Sequence, residues 1–325
     1  MSHYTKFIIA VTLLLSTTAH AGQINLYTDR QEVFMQPIIA AYEKQSGDEV
    51  KVLFIKKGLL ERLKAESDAS PADVILVKNQ LLDFVKSGLT APVVDDKLNQ
   101  AVPANYRGNN WFTITKRVRA LFTAPNINIQ NYVDLAMPEY KGVCLRSGTH
   151  AYNIALFADM LSRLGEEKTE AWLQGVHNNL ARQPQGKDRT QIQDVATGTC
   201  AIGIANSYYY FNLINRADDD ERKQLQENVR MVLPTQPHIN ITGMALAKNA
   251  PNQDASLRFM RFLVSAEGQK IFASQNFEFP VRDDIPYPDM LEPYRTQMQN
   301  ALPTTDDSAL RQRASELVEE VNFNR

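Results

Sequence analysis

The sequence, 325 residues long, predicts an α/β fold of two lobes joined by two chain crossings. Three observations carry that expectation. Strand-like and helix-like segments alternate over residues 23–88 at the lengths of βαβ units. The alternation restarts near residue 132 and continues past residue 210. Two extended stretches, 111–123 and 229–247, belong to neither rhythm, and the chain is expected to cross between lobes within them, near 118–123 and 229–242. Mostly parallel sheets with helices on both faces follow from the βαβ pattern.

The chain opens with Lys6 as its one early positive charge, then an apolar run over 7–15, then Ala19-His-Ala21. That is the form of a secretory signal peptide with an A-x-A cleavage site, and the run is too short to span a membrane. Residues 1–21 are set aside on this reading, and no cysteine at the cleavage point offers a lipid anchor. The expected product is soluble and exported, most simply to a bacterial periplasm. About 300 residues remain, room for roughly two domains of ~150 each. With 35 basic and 37 acidic residues, the net charge of −2 leaves no electrostatic footprint for nucleic acid or a membrane surface. Cys144 and Cys200 in an oxidising compartment read as one disulfide clipping two strands of one sheet. A redox or metal thiolate pair would want C-x-x-C spacing, which is absent.

Taken in order, residues 23–27 alternate as a strand, and a helix runs over 33–45 with Phe34, Ile38, Ile39 and Tyr42 on one stripe. Gly47 stops it. Val50, Val52 and Phe54 alternate as a second strand, and Leu59, Leu60 and Leu63 mark a helix. Ala72-Asp-Val-Ile-Leu-Val77 is a buried run, and Asn79 caps a helix ending at Gly88. Residues 111–123 form one long strand interrupted by Lys116-Arg-Val-Arg119. The rhythm then returns with a helix over 132–137, a strand over 142–145 and a helix over 152–164 with Leu156, Phe157, Met160 and Leu161 inward. Helices over 166–179 and 189–196 lead to the strand Ala201-Ile-Gly-Ile-Ala205. The mixed-sign run Asp218-Asp-Asp-Glu-Arg-Lys223 reads as a solvated helix start. The crossings place a second lobe over 121–235, inserted into a first lobe built from 22–120 and 236–325. One amphipathic helix over 253–274 and the C-terminal helices would brace the first lobe. Two α/β lobes joined by two hinge strands in an exported chain is the architecture of periplasmic binding proteins of type II.

Chemistry concentrates at two strand-to-helix turns. Asn206 and Ser207 are N-cap types, so Tyr208, Tyr209 and Tyr210 fall in the first turn of a helix beyond a strand's carboxyl end, where open α/β sheets bind ligands. Leu145-Arg-Ser-Gly-Thr-His-Ala-Tyr152 repeats the logic, with Ser147 and Thr149 suited to a cap. Tyr152, Tyr208 and Tyr209 could thus meet in one crevice. Phenolate is a hard donor suited to a hard, highly charged cation, whose own charge favours the anion over the phenol of pKa ~10. The competing reading is three amphipathic tyrosines at the edge of a core. Helix starts also receive anions, so Ser147, Gly148, Thr149 and Asn206 could hold one beside the metal. Arg117 and Arg119, at the first crossing, would lie on the cleft rim as anion contacts or interlobe salt bridges. His150, His177 and His238 lack the partner spacing of a zinc site and read as structural.

Asn206-Ser-Tyr-Tyr209 resembles the Asn-x-Tyr-Tyr signature of bacterial ferric-iron-binding proteins of ABC importers. Gly142-Val-Cys-Leu-Arg-Ser147, Ala151-Tyr-Asn153, Ala72-Asp-Val74, Leu164-Gly-Glu-Glu-Lys-Thr169 and Lys116-Arg-Val-Arg119 are similar to that family as well. The resemblance implies Fe(III) captured between the lobes by tyrosinates, often with a synergistic anion such as carbonate or phosphate, by a monomer that delivers it to an inner-membrane permease. Members place a His or a His-Tyr pair in the loop after the first strand, where this chain has Gln31 and Glu32. Another branch uses a Glu after the Ala-Asp-Val strand, where this chain has Lys78. The first-lobe ligand is then Glu32, Gln31, or water and an exogenous anion.

Lys78, Arg117, Arg119 and the anion-receiving helix starts also suit a small anionic organic solute, phosphorylated or carboxylated. An enzyme is the weaker reading, since no G-x-S-x-G elbow, H-E-x-x-H or P-loop is present.

Overall fold

Residues 22–78, 80–304 and 307–325 are described by the computed structural model. The expected signal peptide and the Asn79 cap lie outside the described residues. Strand β1 (Gln23–Thr28) leads to helix α1 (Glu32–Ser46), β2 (Glu49–Phe54) to α2 (Leu59–Glu66), and β3 (Val74–Val77) to α3 (Leu81–Lys86). Gly47 ends α1 at φ 74°, a left-handed turn that glycine makes without a Cβ clash. Helix α4 (Asp96–Ala101) precedes the long strand β4 (Phe112–Thr123), which is buried along its whole length.

After β4 come β5 (Val143–Cys144), α5 (Ala151–Leu164), α6 (Glu166–Asn178) and α7 (Asp188–Ala196). Then follow β6 (Ile202–Asn206), α8 (Tyr208–Arg216), α9 (Asp219–Asn228), β7 (Arg230–Val232) and β8 (Ile239–Leu246). The chain closes with α10 (Gln253–Leu263), α11 (Ala266–Gln275), β9 (Phe279–Pro280), α12 (Arg295–Asn300) and α13 (Ser308–Glu320). The helix expected over 132–137 is a single 3₁₀ turn, Val133–Ala136.

The strand order is β2-β1-β3-β8-β4-β6-β5, with β7 and β9 also pairing with β4. Residues 112–118 of β4 pair with β8 in the first lobe, and residues 119–123 pair with β6 in the second. One strand therefore belongs to both lobes. Among the described strands the sheet is mixed rather than mostly parallel. β1–β2, β1–β3 and β5–β6 are parallel, while β3–β8 and every pairing of β4 are antiparallel. A strand that leaves a lobe and one that returns to it run in opposite directions, which the βαβ rhythm within each lobe does not reveal.

The helix expected over 253–274 is two helices. Ser265 caps the second by accepting a hydrogen bond from the Gly268 N–H at 3.1 Å. A Cβ on Gly268 would come within 2.2 Å of the Phe262 carbonyl oxygen, so the break is held by a contact that only glycine permits. At the C-terminus, α12 contributes Met298 to the larger core cluster. Helix α13 goes elsewhere: Ala314, Leu317 and Val318 are buried with Leu156 and Phe157 of α5 in the second lobe's core. Its apolar stripe demands a matching surface, and α5 provides one. Cys144 and Cys200 form a disulfide that clips β5 to the residues entering β6. No helix among the described residues is long and apolar enough to cross a membrane.

Candidate metal centre

Strand β6 ends at Asn206 and α8 opens with Tyr208 and Tyr209. Strand β5 ends at Cys144, and Tyr152 is the second residue of α5. Since β5 and β6 are parallel neighbours and share the disulfide, both chains turn into their helices at the same end of the sheet. The caps differ from expectation. Ser207 already has helical backbone angles, and its Oγ accepts from the Val118 N–H at 3.4 Å rather than capping α8. His150, not Ser147 or Thr149, caps α5: its Nδ1 accepts from the Tyr152 N–H at 3.2 Å. The other two histidines keep structural partners, His177 against the Phe323 carbonyl and His238 against Asp159.

The rings of Tyr208 and Tyr209 lie 4.2 Å apart, and Phe34 from the first lobe meets Tyr208 edge-on at 6.0 Å. Tyr152 and Tyr208 are buried. Burial pushes the Tyr208 pKa well above the usual phenol range, the nearby Tyr152 and Tyr209 oxygens push it further, and the Arg117 charge pulls the other way. Tyr209 is pushed up to about 12 by burial and by Tyr152, partly offset by a hydrogen bond with Tyr208. Each phenol's ionisation is thus felt by its neighbours, and with no cation bound Tyr208 and Tyr209 stay protonated at neutral pH. Cationic side chains surround them. The guanidinium carbons of Arg119 and Arg146 stand 5.8 and 5.7 Å from the Tyr152 ring centre, and that of Arg189 stands 5.7 Å from the Tyr209 ring. Tyr210 turns away, donating to the Val229 carbonyl at 3.2 Å beside Phe122 and Phe211. Among the described residues no group of three or more His, Cys, Asp or Glu could hold a metal ion.

The anion candidates are placed less simply. The Gly148 N–H donates to Asn324 Oδ1 at 2.7 Å, and the Ser147 and Thr149 hydroxyls bond each other at 2.8 Å. That turn spends its donors on the C-terminus and on itself. Asn206 donates its N–H to Asp188 at 2.9 Å and accepts from Arg119, while its buried Nδ2 has no partner among the described residues. Arg117 and Arg119 are not rim residues. Both are buried in β4, because the crossing strand runs through the core between lobes rather than over its surface. Arg117 donates to the carbonyls of Lys78 and Ile241 at 2.5 and 2.7 Å. Burial alone would lower its pKa, but Glu278, Tyr152, Tyr208 and Asp29 raise it overall. Lys78 is held by Asp29, 2.8 Å from its carbonyl and 3.6 Å from its carboxylate. Gln31 and Glu32 are exposed at the start of α1, and among the described residues no hydrogen bond or ion pair joins either side chain to a tyrosine.

Two buried networks beneath the cleft escaped sequence reasoning. Asp188 accepts from Arg119 at 2.7 Å and from Arg146 at 3.0 Å. Glu278 accepts from both terminal Arg30 nitrogens, Nη2 at 2.7 Å and Nη1 at 3.1 Å, and from the Thr115 hydroxyl. Each network joins residues distant in sequence, which no local pattern brings together.

A model of the bacterial extracellular solute-binding protein family matches residues 29–278. Iron uptake protein A1 of Synechocystis sp. is 34% identical over 288 residues, covering 84% of this chain and 79% of that protein. Among solved structures, the Bordetella ferric binding protein is 38% identical with a TM-score of 0.82, covering 93% of this chain and 100% of its own. A Trichodesmium protein solved in complex with iron and citrate ligands is 33% identical, with a TM-score of 0.82 and coverage of 93% and 100%. The family-model match, residues 29–278, includes both strand-to-helix turns that carry the tyrosines. The chain belongs to the bacterial extracellular solute-binding protein family.

Proposed function

We propose that this protein binds Fe(III) in the periplasm, between its two lobes, and hands it to an ABC permease. The observation that carries the reading is the meeting of Tyr152, Tyr208 and Tyr209 at two adjoining helix starts, close enough that Tyr152 raises the cost of ionising both Tyr208 and Tyr209. A trivalent hard cation reverses that cost, because its charge stabilises neighbouring phenolates and oxygen donors suit it. The relatives named above as iron uptake and ferric binding proteins support the same ligand. Tyr152, Tyr208 and Tyr209 would load iron on the second lobe, displacing phenolic protons into water. Phe34 and the start of α1, with Glu32 or Gln31, would then close over it. A synergistic anion such as carbonate or phosphate would meet Asn206 Nδ2 and the positive field of Arg117, Arg119 and Arg146.

The test is optical. Ferric chelate added to metal-free protein should give a tyrosinate-to-iron absorption band in the visible. Tyr209→Phe and Tyr152→Phe should each weaken or shift it. No band, or a band indifferent to both substitutions, sinks the reading.

The guanidinium groups of Arg146 and Arg189 beside the phenols favour a second reading, a small phosphorylated or carboxylated organic solute. It predicts a thermal shift with such anions in metal-free buffer, unaffected by iron chelators.

A further inference from the structure

Helix α13 is tied to both lobes. Its apolar stripe is buried against α5 in the second lobe, and just beyond its end Asn324 holds the Gly148 N–H in the turn leading to Tyr152. Its other end meets the first lobe. Arg311 pairs with Asp83 of α3 at 2.6 Å, with the two side chains only 12% and 16% exposed. Asp307 caps α13, and its carboxyl is held below the ordinary range by the N–H groups of Leu310 and Ala309, with Lys86 of α3 adding to the effect. Acid and base on α3 (Asp83 and Lys86) therefore face base and acid on α13 (Arg311 and Asp307). Helix α3 belongs to the first lobe, where Leu81 and Phe84 are buried in its core and Leu81 sits where a Cβ on Gly243 of β8 would be.

A rigid second lobe carries α13 with it, so rotating the lobes apart separates α13 from α3 and breaks the Arg311–Asp83 pair. Part-buried charges about 3 Å apart interact more strongly than exposed ones, and they lose that interaction to water once the cleft opens. We propose that α13 is an electrostatic clasp: the Arg311–Asp83 pair, supported by Lys86 and Asp307, forms when the lobes close and slows release of whatever the cleft holds. The clasp rests on the cleft being the ligand site, as read above, but not on the ligand being iron.

The test uses the full exported chain and three variants, Asp83→Asn, Arg311→Gln and the charge swap Asp83→Arg with Arg311→Asp. Two measurements are made at low and high salt: small-angle scattering of the ligand-free protein, and decay of the visible band when a competing chelator strips ferric protein. Each single variant should release iron roughly fivefold faster, about the upper end of what one partly exposed ion pair contributes, and scatter as a more open particle. The swap should recover most of the wild-type behaviour, and high salt should bring the wild type toward the single variants. Equal release and equal scattering for all four proteins overturns the clasp. Should the wild type develop no visible band, the iron reading fails by itself, and scattering alone decides the clasp: single variants more open than wild type and swap support it, identical particles refute it.

Discussion

Arg119 and Asp188 form a fully buried ion pair, 2.7 Å between nitrogen and oxygen, with neither side chain exposed. The same guanidinium lies 5.8 Å from the Tyr152 ring centre, and the same carboxylate receives the Asn206 N–H two residues before Tyr208. One pair thus braces both tyrosine-bearing turns. Asp188→Ala strands Arg119 without its countercharge and should cost roughly 3–5 kcal/mol, read from the shift of the urea midpoint. Asp188→Asn keeps the shape and some hydrogen bonding and should cost less.

Iron affinity should rise with pH. Tyr208 and Tyr209 hold their protons well past neutrality, Tyr209 up to about 12, so a bound ferric ion must displace both. Competition against a chelator of known proton dependence, between about pH 5 and about pH 8, should show log K rising by about three for each pH unit, one proton for each of the three phenols proposed to ligate the metal. A flat profile would mean the phenols are not exchanged for metal.

The Glu278 carboxylate gives a pH dependence of stability with a definite sign. Burial alone would raise its pKa, but Arg30 and Arg117 outweigh that, and the folded value falls below the ordinary carboxylate range. A depressed carboxylate contributes stability above its unfolded pKa and loses it as pH falls through the folded pKa. Glu278→Gln leaves Arg30 buried without its countercharge and should cost roughly 3–5 kcal/mol at neutral pH. Denaturant titrations in a pH series should show the gap from wild type closing only in acid below the ordinary carboxylate range.

Removing the Cys144–Cys200 bridge should loosen the register between β5 and β6, on which the meeting of the tyrosines depends. The bridge spans a sequence separation of 56 residues. Cys200→Ser paired with Cys144→Ser should lose about 2–4 kcal/mol of stability. The same double variant should also bind ferric ion more weakly in chelator competition.

Much of the local architecture was legible because it is local. The Phe34–Tyr42 stripe and Gly47 bound α1 by side-chain period and a left-handed stop. The small β-branched run before Asn206 ends a strand where Tyr208 begins a helix. The chain's two cysteines pair in the one way open to them. The caps were less legible. Ser, Thr and Asn have similar N-cap preferences, and which of them acts depends on where the next turn points. At α5 the capping atom proved to be a histidine nitrogen.

The order of residues, through side-chain period, turn chemistry and the tyrosine-bearing turns, was enough to specify two α/β lobes, their crossings and the phenols at the helix starts. The direction of β8 against β4, the seat of α13 on α5, the burial of Arg117 and Arg119, and the partners Asp188 and Glu278 were settled only when distant segments came together. Periodicity reports which face of an element seeks burial. What that face meets, and which opposite charge a buried guanidinium finds, depends on chain segments tens to hundreds of residues away, and no local pattern encodes them.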